Sequence, residues 1–171
     1  GRSVWRLTAQ AGGRSACMRC GHVRAAVDLV PVCSWVWLRG RCRYCATRIS
    51  WQYPLVEVAA ATLAVLVYVQ YADPLLFIVA LLWWLTLLFV CVYDLRHQII
   101  PWGALWILGI LSLVQIVLTE PTLWAFAAGP LLAAPLLFVS LVSSGRWMGW
   151  GDGLLELSLG WMLGVSAGFT A

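Results

Sequence analysis

Five apolar runs, each of nearly twenty residues, dominate this chain of 171 residues. The core of a lipid bilayer is about 30 Å thick, so each helical crossing needs roughly 20 apolar residues. Charged residues make up only 11% of the chain, against roughly 25% in an average soluble domain. The sequence therefore predicts an all-α polytopic membrane protein in contact with lipid, with spans at residues 54–72, 75–93, 101–119, 123–142 and 153–171.

Arginine supplies all the basic charge, and its distribution predicts the topology. Nine of the eleven arginines lie in the first 50 residues, together with a single acid, Asp28. The other two, Arg96 and Arg146, fall in loops that alternate crossing assigns to the same side of the membrane as this head. Positive loops stay cytoplasmic, so residues 1–50 are expected to form a cytoplasmic head and residues 51–171 a membrane body. Nucleic acid is not an expected partner, because topology explains the charge more simply.

Two aspartates, Asp94 and Asp152, lie far apart in sequence but at the same predicted membrane depth. An ionisable group at the end of a span is costly and is a candidate functional residue. Two carboxylates held together can share one proton, so that one activates a water while the other polarises a peptide carbonyl. The pair favours aspartic-protease chemistry, and two ordinary interfacial acids are the alternative.

Small residues surround and follow Asp152. Gly149 and Gly151 flank Trp150 and either permit close approach of an extended segment or form a plain turn. Every fourth residue after Asp152 lies on one helix face, which contains Glu156, Gly160, Gly164 and Gly168. The glycines on this face let a second helix approach closely in lipid. The pattern predicts a close helix contact below the acid. Glu156 stays open as a member of the acid pair or as a structural acid.

Four cysteines form two C-x2-C pairs separated by 21 residues: Cys17, Cys20, Cys42 and Cys45. This spacing is typical of a four-thiolate zinc site. A short head with few large apolar side chains gains folding energy from such a metal. Two disulfides are the alternative, which a reducing cytoplasm disfavours. Cys33 and Cys91 are expected to be small apolar residues, and His22 a surface residue.

These motifs occur in an order that resembles the type IV prepilin peptidases, the membrane aspartic proteases of the bacterial cytoplasmic membrane. "CMRC" precedes "LRGRCRYCATRISWQYPLVE", and "DLRHQIIP" and "GWGD" follow. The resemblance implies a GxGD-type protease with Asp94 and Asp152 as its catalytic pair. It implies that prepilins, or the pseudopilins of type II secretion, are cut at the cytoplasmic membrane face after a short basic leader. It also implies methylation of the new amino terminus with S-adenosylmethionine, which many members of the family perform.

The chain also departs from this family. Leu154 stands where members commonly have lysine, and Trp102 where they commonly have Asp or Asn. The family has membrane helices before the cysteine domain and after the GxGD helix, so the chain is expected to be a piece of a longer protein. Glu57, in "YPLVE", matches a family position that orients the head, lines the active site or is structural. His97 is expected to be a loop histidine near the site. The alternative function is a non-catalytic membrane scaffold with a structural zinc head.

Overall fold

The structure is a computed structural model that describes residues 17, 20, 23, 33–119, 121–144, 146 and 149–168. The chain divides into two compact units, residues 1–62 and 63–171, with the boundary inside one helix. Six helices are described, in this order: α1 Cys33–Trp37, α2 Gln52–Gln70, α3 Pro74–His97, α4 Trp102–Thr119, α5 Leu123–Val142 and α6 Trp150–Gly168. His22 and the last three residues of the fifth predicted span lie outside the described residues.

The prediction of an all-α membrane protein is confirmed. Four helices, α2 to α5, are long and apolar enough to cross a membrane. The remaining long helix, α6, begins three residues before its predicted span and carries Asp152 in its first turn. Outside the helices, an isolated antiparallel bridge joins Arg41 and Arg48.

Local signals set both ends of α3. Asp73 caps its start, because its side chain accepts hydrogen bonds from the backbone N–H groups of Leu75 and Leu76 at 2.8 and 3.0 Å. Pro74 suits the first helical position, where no N–H is needed. The helix ends at His97 and is capped by Gln98, whose left-handed backbone (φ 52°, ψ 35°) directs its N–H to the carbonyl of Asp94 at 2.7 Å. A left-handed residue after the last turn commonly ends a helix.

The predicted close contact below Asp152 is made by Gly160, which faces α5. A β-carbon at Gly160 would lie 2.8 Å from the Cα of Gly129 and 2.9 Å from the carbonyl oxygen of Ala128. Both neighbours are backbone atoms and cannot turn aside as a side chain does. The seam does not extend to Gly164: among the described residues no atom lies within 4 Å of its β-carbon position, and its φ of 77° breaks the helix.

A proline inside α5 connects this helix to α6. Pro130 has no N–H, so the carbonyl of Phe126, one turn earlier, loses its helical donor. The indole Nε1 of Trp161 donates to that carbonyl at 2.8 Å. In lipid, freed backbone groups of this kind must find another partner, and here the neighbouring helix supplies it.

A buried hydroxyl joins three helices in the membrane body. Ser112 of α4 is fully buried, and its Oγ accepts a 2.7 Å hydrogen bond from the Nε1 of Trp83 on α3. The same hydroxyl lies 2.8 Å from the carbonyl of Leu108 and 3.0 Å from that of Ser158 on α6, so its proton has two acceptors. The apolar core packs beside it, formed by Trp83, Val90, Ala104 and Leu108.

One turn along α4 lies a polar side chain of a different kind. Gln115 is only 4% exposed. Neither its Oε1 nor its Nε2 has a hydrogen-bond partner among the described residues. A buried amide without a partner costs free energy, so this position is a weak point of the bundle as described.

Candidate active site and metal centre

Asp152 lies in the first turn of α6, where it both caps the helix and faces partly outward. Its Oδ2 accepts a hydrogen bond from the backbone N–H of Gly149 at 3.1 Å, and its own N–H donates to the carbonyl of Gly149 at 3.2 Å. The first bond is one half of a capping box, in which the third helical residue reaches back to the residue before the helix; the second is an ordinary backbone bond of the first turn. The carboxylate is thereby fixed at the positive end of the helix dipole.

Asp94 lies near the C-terminal end of its helix, whereas Asp152 lies near the N-terminal end of its own. It is exposed in the last turn of α3, followed by Arg96 and His97 in the same turn. Its backbone carbonyl accepts the capping N–H of Gln98. His97 is part of the helix, and its ring stacks on that of Tyr93 with centroids 4.5 Å apart. The prediction that His97 lies in a loop is therefore wrong by one helical turn, because the left-handed cap comes only at Gln98.

The two motifs that carry these acids meet through Ile100 and Gly151. A β-carbon at Gly151 would lie 3.3 Å from the Cβ and from the Cδ1 of Ile100. Ile100 belongs to "DLRHQIIP" and Gly151 to "GWGD". The end of α3 and the start of α6 therefore lie at the same end of the bundle. The space for Ile100 exists because residue 151 has no side chain.

A second contact fixes Gly149 and was not foreseen from the sequence. Ser140, fully buried near the end of α5, donates its hydroxyl to the carbonyl of Gly149 at 3.5 Å. Ser143, also buried, donates to the carbonyl of Ser140 at 3.4 Å. Two serines in an apolar helix end are a weak sequence signal. They could have been found only as buried hydroxyls that need a partner.

Leu154 lines an apolar cavity of about 200 Å³ between α4 and α6. The other lining residues are apolar too and include Leu105, Trp106, Gly109, Leu157 and Trp161. The side chain two residues after Asp152 is therefore directed into an apolar space. Trp102, the other departure from the family pattern, is exposed at the start of α4.

The other two acids occupy different places. Glu156 is half-buried on α6, one turn after Asp152. Glu57 is exposed in the first half of α2 and belongs to the first unit, residues 1–62. Neither observation assigns a catalytic role to these residues.

The four predicted metal ligands come together. The sulfur atoms of Cys17, Cys20, Cys42 and Cys45 all lie within 4.8 Å of one another, and those of Cys17 and Cys45 are 3.7 Å apart. Zinc–sulfur bonds of about 2.3 Å in a tetrahedron separate the sulfurs by roughly 3.8 Å. The cysteines are free thiols rather than disulfides. The cluster fits one zinc ion.

The loop that presents two of these thiols is closed by backbone hydrogen bonds. The N–H of Cys42 donates to the carbonyl of Thr47 at 2.8 Å, and that of Ala46 donates to the carbonyl of Cys42 at 2.9 Å. Hydrogen bonds from the hydroxyl and then the backbone N–H of Thr47 lower the pKa of the Cys45 thiol to about 6. A thiolate is the form that binds metal, so Thr47 prepares Cys45 as a ligand.

Fold and site together define a helical membrane protein with a four-cysteine cluster that could hold a metal ion and two acidic motifs at one end of its bundle. Residues 4–71 match the family described as Bacterial Peptidase A24 N-terminal domain. The chain is 36% identical over 163 residues to a prepilin leader peptidase/N-methyltransferase of Dichelobacter nodosus, covering 88% of this chain and 57% of that protein. The predicted resemblance to the prepilin peptidases is confirmed.

Further relatives agree. A protein of the same name from Aeromonas salmonicida (strain A449) is 33% identical over 162 residues, covering 90% of this chain and 55% of the relative. A type 4 prepilin-like proteins leader peptide-processing enzyme of Escherichia coli O78:H11 is 33% identical over 168 residues, covering 88% of this chain and 59% of the relative. The chain thus spans somewhat more than half the length of these curated relatives. No solved structure matches it.

Proposed function

We propose that this chain is the greater part of a membrane aspartic endopeptidase that removes the basic leader from prepilins or from type II secretion pseudopilins. Asp94 and Asp152 are its catalytic pair. The observation that carries the proposal is the contact of Ile100 with Gly151, because it holds the two acidic motifs at one end of the bundle. The relatives named above support the substrate class.

The two helix ends suggest different roles for the acids. The Oδ2 of Asp152 accepts from the N–H of Gly149 at 3.1 Å at the start of α6, whereas Asp94 lies in the exposed last turn of α3. We assign Asp152 the role of the base, because this hydrogen bond holds its carboxyl group in place, and Asp94 the role of the acid. No hydrogen bond joins the two carboxylates in the described residues, so in this proposal both act on the bound peptide rather than on each other.

In the proposed reaction, Asp152 takes a proton from a water, and the water oxygen bonds to the carbonyl carbon of the leader peptide bond. Asp94 gives its proton to the carbonyl oxygen at the same time. The resulting tetrahedral centre then collapses. The carbon–nitrogen bond breaks, the leaving amine takes the proton from Asp152, and the hydroxyl proton returns to Asp94.

The test is cleavage of a membrane-inserted prepilin by the full-length protein. Asp94→Asn and Asp152→Asn are each expected to lower the rate by at least about 100-fold, the low end of what an acid or base contributes. Asparagine at 152 keeps an oxygen that accepts from Gly149, so the cap survives and the change isolates chemistry. Asp73→Asn is the matched control, because it alters a capping aspartate at the other end of α3.

Each outcome has one meaning. Normal cleavage by either Asp94→Asn or Asp152→Asn would reject the proposed pair, and loss in Glu156→Gln instead would make Glu156 a member. If the folded wild type never cleaves a prepilin, the non-catalytic scaffold is the better description. Leu154→Lys is a further variant, because it restores the residue common in the family and charges an apolar cavity.

The head and the location complete the proposal. Residues 1–50 hold a structural zinc, residues 51–171 carry the peptidase, and Glu57 lies where the two meet in sequence. The distribution of the arginines supports a cytoplasmic location for the head and the acids, at the inner membrane of a bacterium. The name of these relatives, prepilin leader peptidase/N-methyltransferase, supports a second activity, methylation of the new amino terminus with S-adenosylmethionine. Transfer of a labelled methyl group to processed pilin tests it separately.

A further inference from the structure

A cavity of about 620 Å³ lies in the first unit and is lined largely by the loop of residues 38–50, the metal loop, which presents two of the four thiols. Its wall combines three cations with two large aromatic rings and a hydroxyl: Arg39, Arg41, Arg48, Trp35, Trp51 and Ser50. All three arginine side chains are exposed. None of the three forms an ion pair with an acid in the part of the chain that the structure describes. The cavity is therefore open and positively charged.

The placement of two of these arginines is unfavourable in the absence of a ligand. Arg41 and Arg48 face each other directly across the isolated antiparallel bridge. Side chains in directly opposed positions have β-carbons about 5 Å apart, and like charges there destabilise the pair. Hydrogen bonds hold the bridge in place, including that from the N–H of Ile49 to the carbonyl of Gly40 at 2.7 Å. An anion bound between the arginines would turn this repulsion into attraction.

The backbone around Gly40 preserves the cavity. Gly40 has a φ of 68°, and a β-carbon there would lie 2.7 Å from Cζ2 of Trp35. The Trp35 ring packs on Trp51 with centroids 4.1 Å apart, and its Nε1 donates to the carbonyl of Ile49 at 3.4 Å. The aromatic wall is thus fixed by contacts that a side chain at position 40 would displace.

The sequence position of the cavity sets its depth in the membrane. Ser50 and Trp51 lie in its wall, and α2, a candidate membrane span, begins at the next residue. Trp51 is 73% exposed. Exposed tryptophan next to a span is typical of the headgroup layer. The arginines therefore lie where the phosphates of lipids lie.

We infer that this cavity binds the phosphate of an anionic phospholipid headgroup. Arginine binds phosphate through paired N–H groups that match the spacing of its oxygens. Basic residues at the membrane surface strengthen binding to anionic lipid by an additive amount for each residue. The site uses neither the four thiols nor the two acids, and so it does not depend on the proposed peptidase activity.

The test is native mass spectrometry of the full chain in detergent with phosphatidylglycerol or phosphatidylcholine. The wild type is expected to retain one phosphatidylglycerol in preference to phosphatidylcholine. Arg48→Gln is expected to weaken that binding about fivefold, and Arg41→Gln with Arg48→Gln about 25-fold. Arg43→Gln is the matched control, since it removes the same charge from the same loop but does not line the cavity. Its effect is expected to be clearly smaller than that of Arg48→Gln, because Arg43 does not line the cavity, and zinc content is measured in every variant.

Three results would overturn the inference. Equal losses in Arg43→Gln and Arg48→Gln would mean diffuse attraction rather than a site. Equal binding of both lipids by the wild type would mean no anion preference. Displacement of the lipid by inorganic phosphate at equal concentration would identify a soluble anion as the ligand. Melting gives an independent measure: without lipid, Arg48→Gln is expected to melt above the wild type, and a lower melting temperature would make the arginine pair structural instead.

Discussion

The metal loop and the crossing of α5 with α6 hold their shapes in contrasting ways. In the loop, residues 38–50, few large side chains are buried, and thiols with short backbone hydrogen bonds define the conformation. At the crossing, a β-carbon at Gly160 would lie 2.8 Å from the Cα of Gly129, so two helix backbones approach closely where neither residue has a side chain. The loop depends on its thiols and hydrogen bonds, whereas the crossing depends on the lack of side chains at Gly129 and Gly160. Removing a ligand should therefore damage the loop, whereas adding a methyl group should damage the crossing.

The largest effect is expected from Cys42→Ser. A structural zinc contributes about 10–16 kcal/mol to the folding of small metal domains, so losing a ligand should release the metal and unfold the loop. Atomic absorption of the purified chain should fall from one zinc per chain to near none. Cys33→Ser and Cys91→Ser are the controls, because both cysteines are exposed and lie outside the cluster. A variant at 42 that keeps its zinc would show that three thiols suffice.

A smaller loss is expected from Gly160→Ala. The added carbon meets backbone atoms of α5 at less than 3 Å, and overpacking of this kind costs about 1–3 kcal/mol. The melting temperature in detergent measures it. Gly109→Ala is the matched control: nothing lies within 4 Å of that position, so a better helix former should leave stability equal or raise it. Equal losses in both variants would mean that the crossing is looser than described.

Ser112→Ala tests whether the membrane body also depends on buried hydrogen bonds. The change leaves Nε1 of fully buried Trp83 without an acceptor, at a cost of about 1–2 kcal/mol. Thr86→Ala removes a hydroxyl that bonds only within its own exposed turn, and its effect should be within about 0.5 kcal/mol. If the two variants have the same melting temperature, the hydroxyl of Ser112 does not stabilise the membrane body.

The smallest expected effect is a gain in stability rather than a loss. Gln115→Leu replaces a buried amide without a described partner by an apolar side chain of similar size. Removing an unsatisfied polar group should raise the unfolding free energy by about 1 kcal/mol. Thermal melting in detergent is again the measurement. A clear drop in melting temperature would show that the amide has a partner that the described residues do not include.

The helices and the metal ligands could be predicted because their signals are local. A span needs only its own apolar residues, and the thiol cluster follows from the spacing of Cys17, Cys20, Cys42 and Cys45. Gly160 was predicted as a contact, but its neighbour Gly129 lies on another helix and shares no local pattern with it. The four-residue step also included Gly164, which breaks the helix instead.

The candidate site shows the same limit. The sequence placed Asp94 and Asp152 at one membrane face through topology alone. It did not foresee that Ile100 fills the space beside Gly151, or that Ser140 bonds to Gly149. These contacts depend on the rotation of each helix about its axis. That rotation is decided by packing across helices, which one sequence does not reveal.

The bond from Trp161 to the carbonyl of Phe126 has a consequence for how relatives of this chain can vary. The acceptor is free only because Pro130 supplies no donor. If residue 130 were not proline, its backbone N–H would donate to the carbonyl of Phe126 within α5. A tryptophan at 161 would then no longer be needed as a donor to that carbonyl. The two positions are 31 residues apart in this chain. Relatives that lack proline at 130 should therefore also lack tryptophan at 161, because the pairing depends on the N–H that proline does not have.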